Sequence, residues 1–274
     1  MSFEHHQTAA HFRSLHTSQK PLALSNAWDV ASAVVTAAAG ATAVATTSAG
    51  VAWSLGLPDG DRLDRERAVA VVAGIVEAVN VPVTADIEGG FSETLEGIAT
   101  TVAGILEAGA VGINMEDGSR RPEEFCARIS AARDAARQAG KDLFINARTD
   151  VFLAGAGTVE EQIEEVLARA EKYIEAGADG IFVPGASEAG TIAALTAGIS
   201  VPVNVMVGAG SLSVGELGKL GVGRVSLGSS IAQAAYAVAQ RATEELNTTG
   251  TYTTVAEALD YGFLNGLMDS STKN

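Results

Sequence analysis

Several short apolar runs of this chain end in groups that can do chemistry. VPVTAD ends in Asp86, with Glu88 two positions on; VGINME ends in Glu116, followed by Asp117; LFINAR ends in Arg148, with Asp150 beyond it. Trp28 and Asp29 follow LALSN, Thr47 and Ser48 close AVATTS with Ala49 next, and Asn204 lies inside VPVNVM. Carboxylates converging from neighbouring segments repel one another unless a divalent cation holds them, so Asp86, Glu88 and Glu116 point to a metal. Mg2+ suits such a set, with Mn2+ as the alternative. It takes oxygen ligands, keeps several waters and needs only one or two direct carboxylates, leaving the other acids to act through bridging waters. The competing reading is that these are solvated loop acids that cap the helices after them. Arg148 offers a planar fork for a carboxylate or phosphate, or else an internal ion pair with Asp150 or Glu116. Trp28 reads as core or pocket wall and Asn204 as a pocket candidate only.

Charge and composition remove several classes of function. Lys and Arg number 18 against 33 Asp and Glu, a formal net charge of −15. That balance repels nucleic-acid phosphate and anionic lipid, and no basic stripe with interleaved aromatics is present, so neither nucleic acid nor membrane is an expected partner. An anionic substrate then needs a bound cation or a local arginine to reverse the field. Cys126 is the single cysteine, which excludes an intramolecular disulfide and a multi-cysteine zinc site. It sits beside Phe125 in a helical pattern, as a structural thiol would. All four histidines (His5, His6, His11 and His16) precede the first apolar run, which argues against Ser-His hydrolysis and histidine-ligated zinc; they are expected to face solvent. The N-terminus lacks the apolar stretch of a signal peptide and no run reaches membrane-spanning length, so a cytoplasmic location is expected.

These groups need a scaffold that brings segment ends together. Eight apolar runs, at 22–26, 43–48, 81–86, 111–116, 143–148, 180–185, 201–206 and 224–228, alternate with amphipathic patterns such as TVEEQIEEVLARAEKYIEAG. Strands separated by helices imply βαβ units and a parallel sheet. Ala39-Gly40-Ala41, Ala108-Gly109-Ala110 and Ala176-Gly177-Ala178 recur at nearly equal intervals, each closing a helical pattern before a strand. Eight units without a G-x-G-x-x-G after the first strand favour a closed (β/α)8 TIM barrel over an open doubly wound sheet. The expectation is one barrel domain over 1–274, an N-terminal helical extension over 1–20 and a C-terminal helical segment over 229–274 used in subunit contacts. In such a barrel the strand ends form the active site.

Taken together, NAWDVASA, TTSAGVAWSLGLPDG, VPVTADIEGGF, INMEDGS, FINARTD, AGADGIFVPG and VPVNVM resemble the isocitrate lyase and phosphoenolpyruvate mutase superfamily, over roughly residues 20–245. The resemblance implies a (β/α)8 barrel, a homo-oligomer (dimer or tetramer) with an exchanged C-terminal helix, and Mg2+-assisted chemistry through the enolate of a small 2-oxo carboxylate. It makes Asp86 the metal-ligand aspartate and Asp59, Glu88 and Glu116 the acids that position metal-bound water. Arg148 becomes the substrate-gripping arginine, and Trp28, Thr47, Ser48 and Ala49 the cradle of the substrate carboxylate. The chain also departs from the pattern. Only Gly118 to Arg121 separate Asp117 from Pro122, where relatives carry a long loop with K-[KR]-C-G-H or a phosphoryl-transfer asparagine. Glu88 and Gly89 stand where aspartate and threonine are usual. Without that loop a metaphosphate would be poorly shielded, whereas an enolate left by decarboxylation can take its proton from water. The expected reaction is therefore carbon-carbon cleavage beside a 2-oxo carboxylate, such as oxaloacetate-type decarboxylation or isocitrate lyase-like cleavage. The alternatives are phosphorus-carbon cleavage or mutase chemistry on phosphonopyruvate or phosphoenolpyruvate, and 2-oxo acid binding with weak catalysis.

Overall fold

Seven of the eight apolar runs become one parallel strand each and the first becomes two in the computed structural model, which describes residues 2–17 and 19–271. Met1, Ser18 and residues 272–274, parts of the two expected terminal segments, lie outside the described residues. The order begins α1 (Ser2–Ser14), β1 (Leu22–Leu24), β2 (Asn26–Ala27), α2 (Val30–Ala38), β3 (Val44–Thr46), α3 (Ser48–Ser54) and α4 (Arg65–Ala78). It continues β4 (Val83–Asp86), α5 (Leu95–Glu107), β5 (Gly112–Glu116), α6 (Pro122–Ala139), β6 (Phe144–Arg148), α7 (Val151–Ala154) and α8 (Val159–Glu175). Then come β7 (Gly180–Phe182), α9 (Ala189–Gly198), β8 (Val203–Met206), α10 (Val214–Lys219), β9 (Arg224–Ser226), α11 (Ser230–Thr248) and α12 (Tyr261–Ser271).

The first run divides at Ser25, and that division closes the barrel. Leu22–Leu24 pair with β9 in the register Leu22↔Arg224, while Asn26 and Ala27 pair with Ala45 and Thr46 of β3. All pairings are parallel and follow chain order around the ring. Local chemistry sets the helix ends. Asp29 with Ser32 and Thr158 with Glu161 form capping boxes, and Pro122 opens α6. The repeated glycines Gly40, Gly109 and Gly177 take φ of 94°, 96° and 115°, the conformation that returns each helix to the next strand.

Two regions hold the barrel together. Between strands and helices, Ile98, Ile105, Ile113, Met115, Phe125 and Ile129 are fully buried, each stabilising the fold by about 1.5–3 kcal/mol. Within the ring lies a polar layer: Asn146 donates to Asn114 (3.0 Å) and Asn204 (3.1 Å), and Arg224 donates to Asn114 (3.1 Å). At the strands' N-terminal end α1 acts as a plug. Phe12 is buried edge-on to Phe144 (5.7 Å), and His16 stacks on the same ring at 4.1 Å. The expectation of solvent-facing histidines therefore needs correction. His5 and His16 are buried, His5 and His6 bond Asp142, and burial pushes His16 down to about 3; His11 alone of the four is exposed. After α11 the carboxylate of Glu245 gathers Thr251, Thr253 and Thr254 into a turn, and α12 packs on α2 of its own chain. Leu246, Tyr252, Leu259, Tyr261 and Phe263 remain exposed in this segment. Among the described residues no helix is long and apolar enough to cross a membrane.

Candidate active site

At the C-terminal end of the strands, β3 passes into α3 within one residue, and this tight join orients Asp86. The backbone N–H of Asp86 donates to Thr46 Oγ1 (2.8 Å), and Ser48 N–H donates to Asp86 Oδ2 (3.2 Å). Thr47 caps α3 by accepting from Gly50 N–H at 3.5 Å. A Cβ on Gly50 would lie 2.7 Å from Thr47 Cγ2 and 2.9 Å from Trp28 Cβ, so this close approach requires glycine. Trp28 consequently packs behind α3 with Val51, Leu63 and Ala68, away from the cleft wall.

Glu88 occupies the turn after β4 at φ 50° and is 2% exposed. Its Oε2 accepts from the N–H groups of Gly60 (3.0 Å) and Asp61, while Oε1 is buried without a partner among the described residues. Burial pushes its carboxyl up to about 7, and the charges of Asp59, Asp86 and Asp61 add to that against the Asp61 N–H. Asp61 in turn accepts from Gly89 N–H (3.1 Å) and Arg120 Nη2 (3.3 Å), so the short connection after β5 latches the 59–61 turn over Glu88. Asp59 is raised by burial and by Asp86, with the Ser48 hydroxyl opposing.

Arg148 forms the internal pairs named above as its alternative role, and with both acids. Nη1 meets Glu116 Oε2 at 2.6 Å, Nε meets Asp150 Oδ1 at 2.6 Å and Nη2 meets Asp150 Oδ2 at 3.2 Å. Burial pushes Glu116 up to about 8 despite that arginine. Asp117, beside Glu116, points outward because successive strand residues alternate faces. It is 0% exposed and accepts from Asp150 N–H (2.9 Å), Arg169 Nη1 (2.7 Å) and Tyr173 OH (2.8 Å), thereby anchoring the residue that holds Arg148.

One cleft of about 180 Å³ gathers Thr47, Ser48, Ala49, Asp59, Asp86 and Arg148. Glu116 adjoins it through Arg148, and Glu88 lies behind the 59–61 turn. Asn204 is not in the wall; it is buried beneath, donating to Ser226 Oγ at 3.2 Å. The sequence reading missed Asn26, Asn114, Phe182, Met206, Ser226, Gly228 and Ser229, which complete the lining. Their positions at or near strand ends were the available signal. A larger groove of about 470 Å³ between α8 and α9 offers only Glu171 and Glu175 as ionisable groups and borders the opposite end of β8.

Among the described residues no three acids, histidines or cysteines stand close enough to cage a metal directly. Asp86, Glu88 and Glu116 therefore do not form a three-carboxylate cage, since Glu88 turns to the 60–61 backbone and Glu116 to Arg148. The donors are nonetheless all oxygen, with Asp86 in the cleft and Glu88 Oε1 buried and unpaired, and this fits Mg2+ held by one carboxylate and several waters.

A closed parallel barrel with acids, one arginine and a tight strand-to-helix join at its mouth defines the phosphoenolpyruvate mutase and isocitrate lyase class, a superfamily of lyases and mutases. Residues 12–247 match the family described as phosphoenolpyruvate phosphomutase, and the chain belongs to that family. An uncharacterized protein of Mycobacterium tuberculosis H37Rv is 40% identical over 218 residues, 80% of this chain and 81% of the relative. The 2-methylisocitrate lyase of Escherichia coli K12 is 29% identical over 212 residues, 72% of this chain and 69% of that enzyme. A crystal structure from Burkholderia cenocepacia J2315, provisionally named a phosphonomutase, superposes with a TM-score of 0.84 at 45% identity, covering 87% of this chain and 99% of the other. The phosphoenolpyruvate phosphomutase of Streptomyces platensis subsp. rosaceus (TM-score 0.81, 24% identity, 96% of each chain) shares the fold.

Proposed function

We propose that the protein is a Mg2+-dependent lyase that breaks a carbon-carbon bond beside a small 2-oxo carboxylate, through an enolate. The observation that carries this reading is the convergence of Ser48, Asp59, Asp86 and Arg148 on one small cleft. Asp86 would hold the cation, with Asp59, Glu88 and Glu116 around it. Bound there, the cation would withdraw electron density from a 2-oxo acid and lower the cost of forming its enolate. The chain's own groups do the rest. The hydroxyls of Thr47 and Ser48 and the Ala49 N–H offer donors to a carboxylate. Arg148, fixed by Glu116 and Asp150, presents an already oriented guanidinium. Glu116 holds that guanidinium in place beside the cleft.

Phosphorus-carbon cleavage is the second reading, favoured by the name of the 45%-identical relative. Against it, the turn at 118–121 puts no long loop over the cleft. Phosphate release from phosphonopyruvate would identify that activity. The exposed apolar residues of the C-terminal segment support a homo-oligomer, dimer or tetramer, joined through that segment.

The deciding experiment is a thermal-shift titration with Mg2+ and oxalate, pyruvate or phosphonopyruvate against metal-free controls. At a hundredfold excess over Kd a native-state ligand adds about 2.7 kcal/mol of stability. Asp86→Asn is expected to abolish the Mg2+-dependent part of the shift and of turnover. An unchanged Mg2+ dependence in that variant would reject the assignment.

A further inference from the structure

Beneath the cleft lies a cation without a counter-charge in contact. Arg224 points into the barrel from β9, one step below Ser226 of the cleft wall, and is 1% exposed. Among the described residues it forms no ion pair: Nη2 donates to Asn114 Oδ1 at 3.1 Å, while Nε and Nη1 are buried without a partner. Burial works against its charge, and Asp86 is the acid whose field favours it. A charge withdrawn from water in this way is costly to the empty protein.

The amides around it carry that charge toward the cleft. A guanidinium only donates, so Asn114 turns its oxygen to Arg224. Asn204 is fixed from the other side: its Nδ2 donates to the main-chain carbonyls of Val205 (2.9 Å) and Arg224 (3.3 Å), which only accept, so its oxygen faces Asn146. Asn146 Nδ2 then donates to the oxygens of both neighbours. Asn114 Oδ1 is thereby engaged twice, and its Nδ2 has no acceptor among the described residues. That nitrogen is not sealed in as Arg224 Nε and Nη1 are, and Asn114 lines the cleft, so the amide opens onto its floor. It does so beside Asp86, the residue with which Asn114 pairs across β4 and β5.

We propose that the Asn114 amide is the donor that meets the 2-oxo oxygen of the bound acid, and that Arg224 is a positioning residue that orients this amide and sets a positive charge behind it. This rests on the reading of the cleft as a 2-oxo acid site. In that reading Thr47, Ser48 and Ala49 face the carboxylate end, which leaves the adjacent oxygen to the floor. A donor backed by a cation gains most when its acceptor turns anionic, so the floor favours the enolate over the 2-oxo acid from which it forms.

The test is isothermal titration calorimetry in excess Mg2+ with oxalate and pyruvate, alongside the melting temperature of each metal-free protein. Both ligands present a carboxylate and an adjacent oxygen; that oxygen is anionic in oxalate, as in an enolate, and neutral in pyruvate. Asn114→Leu, similar in shape but without a donor, is expected to weaken oxalate at least about tenfold and pyruvate only about threefold, since hydrogen bonds to charged partners are the stronger. Arg224→Met is expected to narrow the preference for oxalate in the same direction while melting no lower than the unaltered protein, because an unpaired buried charge has been removed. An arginine with a purely structural role would give the reverse, a lower melting temperature with an unchanged preference. If Arg224→Met does not fold, Asn114→Leu decides alone. A preference for oxalate that Asn114→Leu leaves unchanged overturns the floor donor and leaves the 2-oxo acid site standing. Binding of neither acid to the unaltered protein overturns both.

Discussion

Asp117 offers the sharpest separation of stability from binding. Replacing it by asparagine keeps an oxygen that can accept from Asp150 N–H, but turns an amide NH2 toward the Arg169 and Tyr173 donors. Arg169 then retains only the exposed Glu165, at 2.6 Å. Breaking a buried charge pair costs about 3–5 kcal/mol; because the Arg169 side chain keeps 19% exposure, the lower end of about 3 kcal/mol applies. That is a large part of the roughly 5–15 kcal/mol that stabilises a domain. In urea unfolding, Asp117→Asn should lower the midpoint with little change in slope, while affinity of the folded protein for pyruvate and Mg2+ is kept. Asp117→Ala should destabilise comparably and also free Asp150 from its anchor, weakening that affinity about tenfold as the Arg148 fork loses its fixed plane. A loss under about 1 kcal/mol in the first variant, or unaltered affinity in the second, would refute the reasoning.

Two further outcomes follow from the barrel interior. Burial raises Glu88 to about 7 and Glu116 to about 8, so between their ordinary range and those values the native state holds more protons than the unfolded chain. Above about pH 6.5, where the buried neutral His16 no longer opposes them, melting temperature of the metal-free protein should therefore fall as pH rises to about 8, and Mg2+, which needs ionised carboxylates, should restore most at the alkaline end; a melting temperature that rises steadily over that window would contradict both shifts. Gly112→Ala would set a Cβ 2.8 Å from Phe12 Cε1 and Thr84 Oγ1, and calorimetry should show a loss of about 1–3 kcal/mol.

The barrel was legible because its cues are local: eight apolar runs, helix-closing glycines and acid-rich first turns all belong to neighbouring residues. The split of the first run at Ser25 was not legible, since it depends on β1 meeting β9 across the whole chain. Thr47, Ser48, Ala49, Asp59, Asp86 and Arg148, named as candidates from the sequence, line one cleft. Trp28, read from the residues as core or pocket wall, packs with Val51, Leu63 and Ala68, and the close approach of Gly50 to its Cβ is a packing fact that no local cue carries. Asp117 was hidden by adjacency: it sits next to Glu116 in sequence, yet strand alternation sends it to the opposite face. The histidines misled through composition. Polar residues near a terminus suggest solvent, but Phe12 carries His16 into the base of the barrel.

Because the first strand bonds to the last, the ring can close only after nearly the whole chain exists. During synthesis the early units must wait with both sheet edges unpaired, a slow and aggregation-exposed route for a chain of such long-range contacts. The N-terminal edge that waits is slight: β2 has two residues and β1, which stays unpaired until β9 is made, has three, leaving little ladder there for a stray chain to copy. What looks in the finished barrel like an interrupted strand is, in the nascent chain, a short edge with few unpaired backbone groups to offer.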